Sequence, residues 1–170
     1  MLIYLDTMIM QYSIEYYEFV FGRISGYSGE CPVSEPKLKR ELNALHDFMF
    51  MEQMGSLVYA CTPHLWDELN AGKVTTEQYQ SYSILKQSWE ESGWMDAFPL
   101  NEREVLQAED SLIPLRLDAA DRRHLAEAIV VHASWFLTND NEIIEKCKEK
   151  ELPLRVARPS ECLSEIFVGL

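Results

Sequence analysis

Asp6 follows the apolar run Leu2-Ile3-Tyr4-Leu5, and Asp140 closes the run Trp135-Phe136-Leu137-Thr138-Asn139. Both acids sit just past a short strand-like segment. In an open α/β sheet, ligands bind beyond the carboxyl ends of the strands. Glu68 lies in Thr62-Pro63-His64-Leu65-Trp66-Asp67-Glu68-Leu69, and Asp121 in Asp121-Arg122-Arg123-His124-Leu125-Ala126-Glu127-Ala128. Those two segments read as helices. Converging carboxylates repel one another, so a fold that gathers them ordinarily holds a cation between them. Hard oxygen ligands suit Mg²⁺ or Mn²⁺. Two such ions about 4 Å apart can clamp a phosphodiester, activate a water and stabilise the leaving oxygen. Thr7 and Thr138 offer hydroxyls to a metal-bound water or a neighbouring carboxylate, and Asn139 can orient either.

Each acid also has a plainer reading. An acid after a buried strand is commonly a helix cap or a turn residue. Asp121 is the exception, because it falls on the same helical face as Leu125, Ala128 and His132, where a lone carboxylate is costly. His124 in such a place reads as packing, Asp118 as a cap and Asp67 as exposed. No H-E-x-x-H motif is present to indicate a zinc hydrolase.

The elements that must position these residues alternate. Residues 2–5 read as a buried parallel strand, followed by a helix over 8–21 and a glycine- and proline-containing loop over 22–36. A helix over 37–54 carries an apolar stripe, with Phe48-Met49-Phe50-Met51 as packing. A strand is expected over 56–60. Pro63 suits the first turn of a helix capped by Thr62 and ending near Gly72. Further helices are expected from Thr75 or Thr76 to Ser92, from Asn101 to Ser111, from Asp118 to Ala133 and from Asn139 or Asp140 to Lys150. Strands are expected over 94–98, 135–138 and 152–157, and Pro159 opens a terminal helix. This alternation predicts an α/β fold, a three-layer α/β/α sandwich with a mostly parallel sheet of four to five strands. One domain over 1–170 is expected, with a loop and helix elaboration around 22–54.

Composition narrows the function. A chain of 170 residues with 47% hydrophobic content supports one folded core. No apolar run approaches a membrane span, and the first residues make a poor secretory signal. Cys31, Cys61, Cys147 and Cys162 are widely spaced and read as free thiols of a cytoplasmic protein. The net charge of −13 argues against a generally basic nucleic-acid surface. Cations nevertheless concentrate late: Arg116, Arg122, Arg123, Lys146, Lys148, Lys150, Arg155 and Arg158 are about half of the total. A phosphate backbone fits that third of the chain best. Arg122 and Arg123, flanking Asp121, are the candidates to place RNA; the other reading is that they pair with surface acids.

The segments Leu5-Asp6-Thr7, Trp66-Asp67-Glu68-Leu69, Asp121 to Ala128 and Phe136-Leu137-Thr138-Asn139-Asp140 resemble, in order and spacing, those of PIN-domain ribonucleases. Leu154-Arg155-Val156-Ala157-Arg158-Pro159 is similar to that family's closing strand and turn. The resemblance implies helices around a parallel sheet, Mg²⁺ or Mn²⁺, and hydrolysis of RNA phosphodiesters at Asp6, Glu68, Asp121 and Asp140. Many bacterial members are VapC-like toxins neutralised by a small antitoxin, so an antitoxin and a second copy of the chain are the protein partners to expect. The sequence departs from the family at Met8, where Asn is frequent, and over 22–45, which is longer than in compact toxins. A PIN-fold binding module with weak or no catalysis is the alternative. A haloacid dehalogenase-type phosphatase would need an Asp at position 8.

Overall fold

The computed structural model describes residues 1–12, 35–52, 58–71, 76–91, 95–148 and 150–168. The expected loop over 22–36 and most of the helix over 8–21 lie outside them, as do the side chains of the Phe48-Met49-Phe50-Met51 run. Five strands form one sheet: β1 (Leu2–Leu5), β2 (Val58–Cys61), β3 (Met95–Ala97), β4 (Trp135–Leu137) and β5 (Arg155–Ala157). Their order is β3-β2-β1-β4-β5, and every pairing is parallel. The helices are α1 (residues 7–12), α2 (Pro36–Glu52), α3 (Pro63–Ala71), α4 (Thr76–Glu91), α5 (Glu102–Leu112), α6 (Ala119–Val130), α7 (Asn141–Lys148) and α8 (Pro159–Val168).

Parallel crossovers are right-handed. Connections running β1 to β3 and those running β3 to β5 cross the sheet in opposite directions, and so cover opposite faces. The result is the three-layer α/β/α arrangement. The direction changes beside β1, whose neighbours are β2 and β4. That switch point opens a crevice beyond the carboxyl ends of β1 and β4, where Asp6 and Asp140 fall.

The central strands are apolar because both faces are covered. Ile3, Tyr4, Leu5, Phe136 and Leu137 are all essentially inaccessible. Tyr4 pairs in register with Phe136, and their rings stack with centroids 5.6 Å apart. Such a pair adds about 0.5–1.5 kcal/mol beyond area burial. Elsewhere α2 is tied to α8 by the buried Glu41, which accepts hydrogen bonds from the Ser160 N–H and hydroxyl at 2.8 and 2.9 Å. A carboxylate there compensates the open N–H groups of the α8 N-terminus.

Three local expectations hold: Thr62 caps α3 through Leu65 N–H, Asn101 caps α5 through Arg103 N–H, and Asp118 caps α6 through Asp121 N–H. Two boundaries differ by three residues. The last strand is Arg155–Ala157 rather than 152–157. The α6 helix ends at Val130, not Ala133, and His132 is not on its face. His132 adopts φ 58, its N–H bonds to the Ile129 carbonyl, and Ala133 N–H bonds to the Ala128 carbonyl. This is a Schellman ending with histidine where glycine is usual. No described helix is long and apolar enough to cross a membrane.

The exposed His132 gives a stability test. His132→Gly is expected to stabilise the protein by about 0.5 kcal/mol, the left-handed strain of about 1 kcal/mol less the added freedom of glycine in the unfolded chain. His132→Val is expected to lower stability by about 1 kcal/mol or more, since a β-branched residue tolerates positive φ worst. Urea midpoints of the three proteins check the order.

Candidate functional site

Asp6, Glu68, Asp121 and Asp140 all line one cleft of about 470 Å³, together with Thr7, Met8, His124 and Asn139. Four elements converge to make it. Asp6 sits between β1 and α1, where its carbonyl accepts the Met10 N–H at 2.8 Å and its own N–H reaches the Leu137 carbonyl at 2.9 Å. Asp140 follows β4 and caps α7, its Oδ1 accepting the Glu142 N–H at 2.6 Å and, at 3.4 Å, that of Ile143. The sequence alternatives of cap and site residue are thus both realised in Asp140: one oxygen serves the helix, while the side chain still lines the cleft. Glu68 enters from α3, and Asp121 from the first turn of α6.

Hydroxyls hold two of the acids. Thr138 Oγ1 donates to Asp6 Oδ2 at 2.7 Å, and itself accepts the Asp140 N–H at 3.0 Å. Thr7 Oγ1 donates to Glu68 Oε2 at 2.8 Å. Thr7 and Thr138 thus support neighbouring carboxylates, one of the two roles expected for them. Asn139 lines the cleft with a buried Oδ1 that has no hydrogen-bond partner among the described residues. It is an acceptor open to a ligand.

The electrostatics record the crowding. Burial raises the Asp121 pKa from 3.8 to about 6, and the charges of Asp118, Asp6 and Asp140 push the same way. Burial also raises Asp6, with Asp140 adding to it, against the Thr138 hydrogen bond, the His124 charge and the Thr7 N–H. Glu68 moves down: burial is the largest single influence and raises it, but hydrogen bonds from His124 and Thr7 and the charges of His124 and His64 together outweigh it. Two acids held above their ordinary range by burial and by neighbouring carboxylates are short of positive charge. An all-oxygen donor set with that deficit fits Mg²⁺ or Mn²⁺.

Behind the cleft lies a network that sequence reasoning did not assemble. Glu127, on α6, is fully buried. Its Oε2 accepts from Tyr4 OH at 3.0 Å and Thr62 Oγ1 at 2.5 Å, and its Oε1 from Arg123 Nε at 2.8 Å. Burial and the Glu127 charge drive the Tyr4 pKa well up, so the phenol keeps its hydrogen and gives it to Glu127. Tyr4 oxygen is then left to accept from His124 Nδ1 at 3.0 Å, while His124 Nε2 lies 2.7 Å from Glu68 Oε2. His124 Nδ1 thus faces the core and Nε2 the site. His124 is buried, as a packing residue would be, yet it orients Glu68. The signal available in the sequence was the helical spacing of Arg123 and Glu127, with Glu127 set between Ala126 and Ala128 on a buried face.

Arg123 is committed to structure. Besides Glu127 it holds Glu102 in a two-pronged pair at 2.7 and 2.8 Å. Of the two readings of Arg123, ion pairing is the one the geometry supports, although one partner is buried rather than on the surface. Arg122 donates to the Leu117 carbonyl at 3.3 Å, and neither arginine lines the cleft. The described cysteines are free and buried, and burial pushes Cys61 and Cys147 to about 11 and Cys162 to about 12, which leaves them poor nucleophiles. Compared with known proteins, the chain matches no protein-family model and no curated protein.

Two outcomes follow from this geometry. An acid whose folded pKa is raised destabilises the fold above that pKa, and the penalty fades as pH falls toward the unfolded value. Asp121→Asn is therefore expected to melt higher than the wild type at pH 7 in chelator. The advantage should shrink as pH falls from about 6, the folded pKa, to about 4, near the unfolded one; an advantage constant with pH would exclude the raised carboxylate. Arg123→Ala strands the buried Glu127 charge and is expected to cost about 3 kcal/mol. Arg122→Ala, measured by the same urea titration, is expected to stay within about 0.5 kcal/mol of the wild type.

Proposed function

We propose that the protein is a metal-dependent endoribonuclease of the PIN type that hydrolyses RNA phosphodiesters. The observation that carries this reading is the convergence of Asp6, Glu68, Asp121 and Asp140 on one cleft at the switch point of a parallel sheet. Asp6 and Asp121, partly buried and raised by burial and by neighbouring acids, lower stability, and sites that trade stability for function have this character.

In this reading the four acids hold Mg²⁺ or Mn²⁺, which when bound supplies Lewis-acid activation of water and of the phosphoryl oxygens. The chain's own groups do the positioning. Thr138 fixes the Asp6 carboxylate, and Thr7 and His124 fix that of Glu68, so both are set before substrate arrives. Among the described residues lining the cleft there is no serine or cysteine, and the Thr7 hydroxyl is engaged with Glu68. The attacking group is then water rather than a side chain. Asn139 Oδ1 is the spare acceptor for a water or a ribose hydroxyl.

The toxin role, with a small antitoxin that would cover the cleft, belongs to the same reading, as do a cytoplasmic location and a homodimer. A second reading is favoured by one observation: the described cleft lining contains no Lys or Arg, and the chain carries a net charge of −13. A PIN-fold binding module without turnover fits that balance. Turnover separates the two.

The purified protein is expected to cut single-stranded RNA with Mn²⁺ or Mg²⁺ and to stop in EDTA. Asp6→Asn and Asp140→Asn should each lose on the order of a hundredfold or more in rate, with melting curves showing that they remain folded. Undiminished cleavage in excess chelator would falsify the metal mechanism, and binding without cleavage would select the second reading.

A further inference from the structure

His64 and Glu68 stand one turn apart on α3, and His124 reaches the same point from α6. One ligand atom from each lies within 4.8 Å of the others. The two imidazole rings are stacked, with centroids 5.0 Å apart at 29°. His64 Nε2 is buried without a hydrogen-bond partner among the described residues and lies 3.6 Å from Glu68 Oε1. That separation is too long for a hydrogen bond. It is close to the spacing of two ligands on one tetrahedral ion, about 3.4 Å for metal–ligand bonds of about 2.1 Å. The two side chains are 35% and 32% exposed, so an ion can enter from solvent.

From this arrangement we infer that His64, Glu68 and His124 form a binding site for a borderline divalent ion of the zinc class, separate from the carboxylate set but sharing Glu68 with it. The donor chemistry decides the ion. Two imidazoles and one carboxylate suit Zn²⁺, Co²⁺ or Ni²⁺, whereas Mg²⁺ prefers oxygen. Three protein ligands leave a fourth position open to water.

His124 has the supporting contact that metal-binding histidines have. A ligating histidine gives its other ring N–H to an oxygen that fixes the ring, and here Nδ1 is 3.0 Å from Tyr4 OH, which is itself anchored on Glu127. Nε2 is therefore the ligand atom. The ion takes the place of the hydrogen that Nε2 shares with Glu68, and that proton leaves to solvent. The 2.7 Å between Nε2 and Glu68 Oε2 must open by roughly the same geometry, a small rotation of a partly exposed side chain. The inference does not rest on nuclease activity. His64 is outside the carboxylate cleft, and that separates the two sites experimentally.

The test is Zn²⁺ titration of the full chain by calorimetry, with Co²⁺ absorption as the reporter of ligand type. The wild type should bind one Zn²⁺. His64→Ala and Glu68→Gln should each weaken that binding by about tenfold or more, while Asp121→Asn should leave it within about threefold. Bound Co²⁺ should show the intense visible bands of a four- or five-coordinate, nitrogen-containing site, and these should vanish in His64→Ala. Equal Zn²⁺ affinity in His64→Ala and wild type overturns the proposal, as does no saturable Zn²⁺ binding at all. An equal loss in Asp121→Asn and His64→Ala also overturns it, because the ion would then lie among the carboxylates. His64→Gln repeats the measurement should the alanine variant melt abnormally.

Discussion

Glu127 carries a charge at a position with no access to water, and much of the molecule is arranged around that fact. An unpaired buried carboxylate is costly, and is tolerated only when its oxygens are fully hydrogen-bonded and its charge is balanced. Arg123 supplies the charge from one helical turn away, and Tyr4 and Thr62 supply the hydroxyls. Those partners come from β1, from the end of β2 and from α6 itself. The buried charge therefore fixes the helix against the two central strands more specifically than apolar contact could. It also consumes an arginine that a sequence reader would assign to a phosphate.

The same network reaches the surface. Because Tyr4 gives its hydrogen to Glu127, its oxygen is available to His124, whose other nitrogen then meets Glu68. A core interaction thus sets the position of a side chain that lines the cleft and belongs to two donor groups. Around Glu68 burial is outweighed by the hydrogen bonds of His124 and Thr7 and the charges of both imidazoles, which lower its pKa, whereas at Asp6 and Asp121 burial and neighbouring acids outweigh the His124 charge. The asymmetry is useful. One acid is ready-ionised and oriented, and the other two carry the charge deficit that attracts a cation.

Sheet topology explains why the deficit is located there. The strand order reverses beside β1, so the ends of β1 and β4 face an uncovered crevice. Asp6 and Asp140 are one and three residues past those ends. The helices after β2 and before β4 start at the same edge, which delivers Glu68 and Asp121. Repulsion among Asp6, Asp121 and Asp140 is thus a consequence of topology, with Thr138 holding the Asp6 carboxylate and the α7 N-terminus that of Asp140.

Much of this was legible in the chain. Short apolar runs between capped helices specified β1, β2 and β4, because strands covered on both faces bury nearly every side chain. Thr62, Asn101 and Asp118 marked helix starts, because a cap acts through bonds to residues two or three positions on. The four acids were legible for a related reason: each directly follows a strand or faces inward from a helix. Three things were decided only by the fold. The α6 helix stops early because His132 takes a left-handed conformation that no local pattern demanded. Arg123 turns to Glu102 as well as to Glu127, one helical turn away, because packing between α5 and α6 brings Glu102 to it. His64, Glu68 and His124 meet because a turn of α3 lies against α6, a contact across 56 residues between His124 and Glu68. Local bonds are written in neighbouring residues, whereas pairing between distant side chains depends on which surfaces the whole chain buries together.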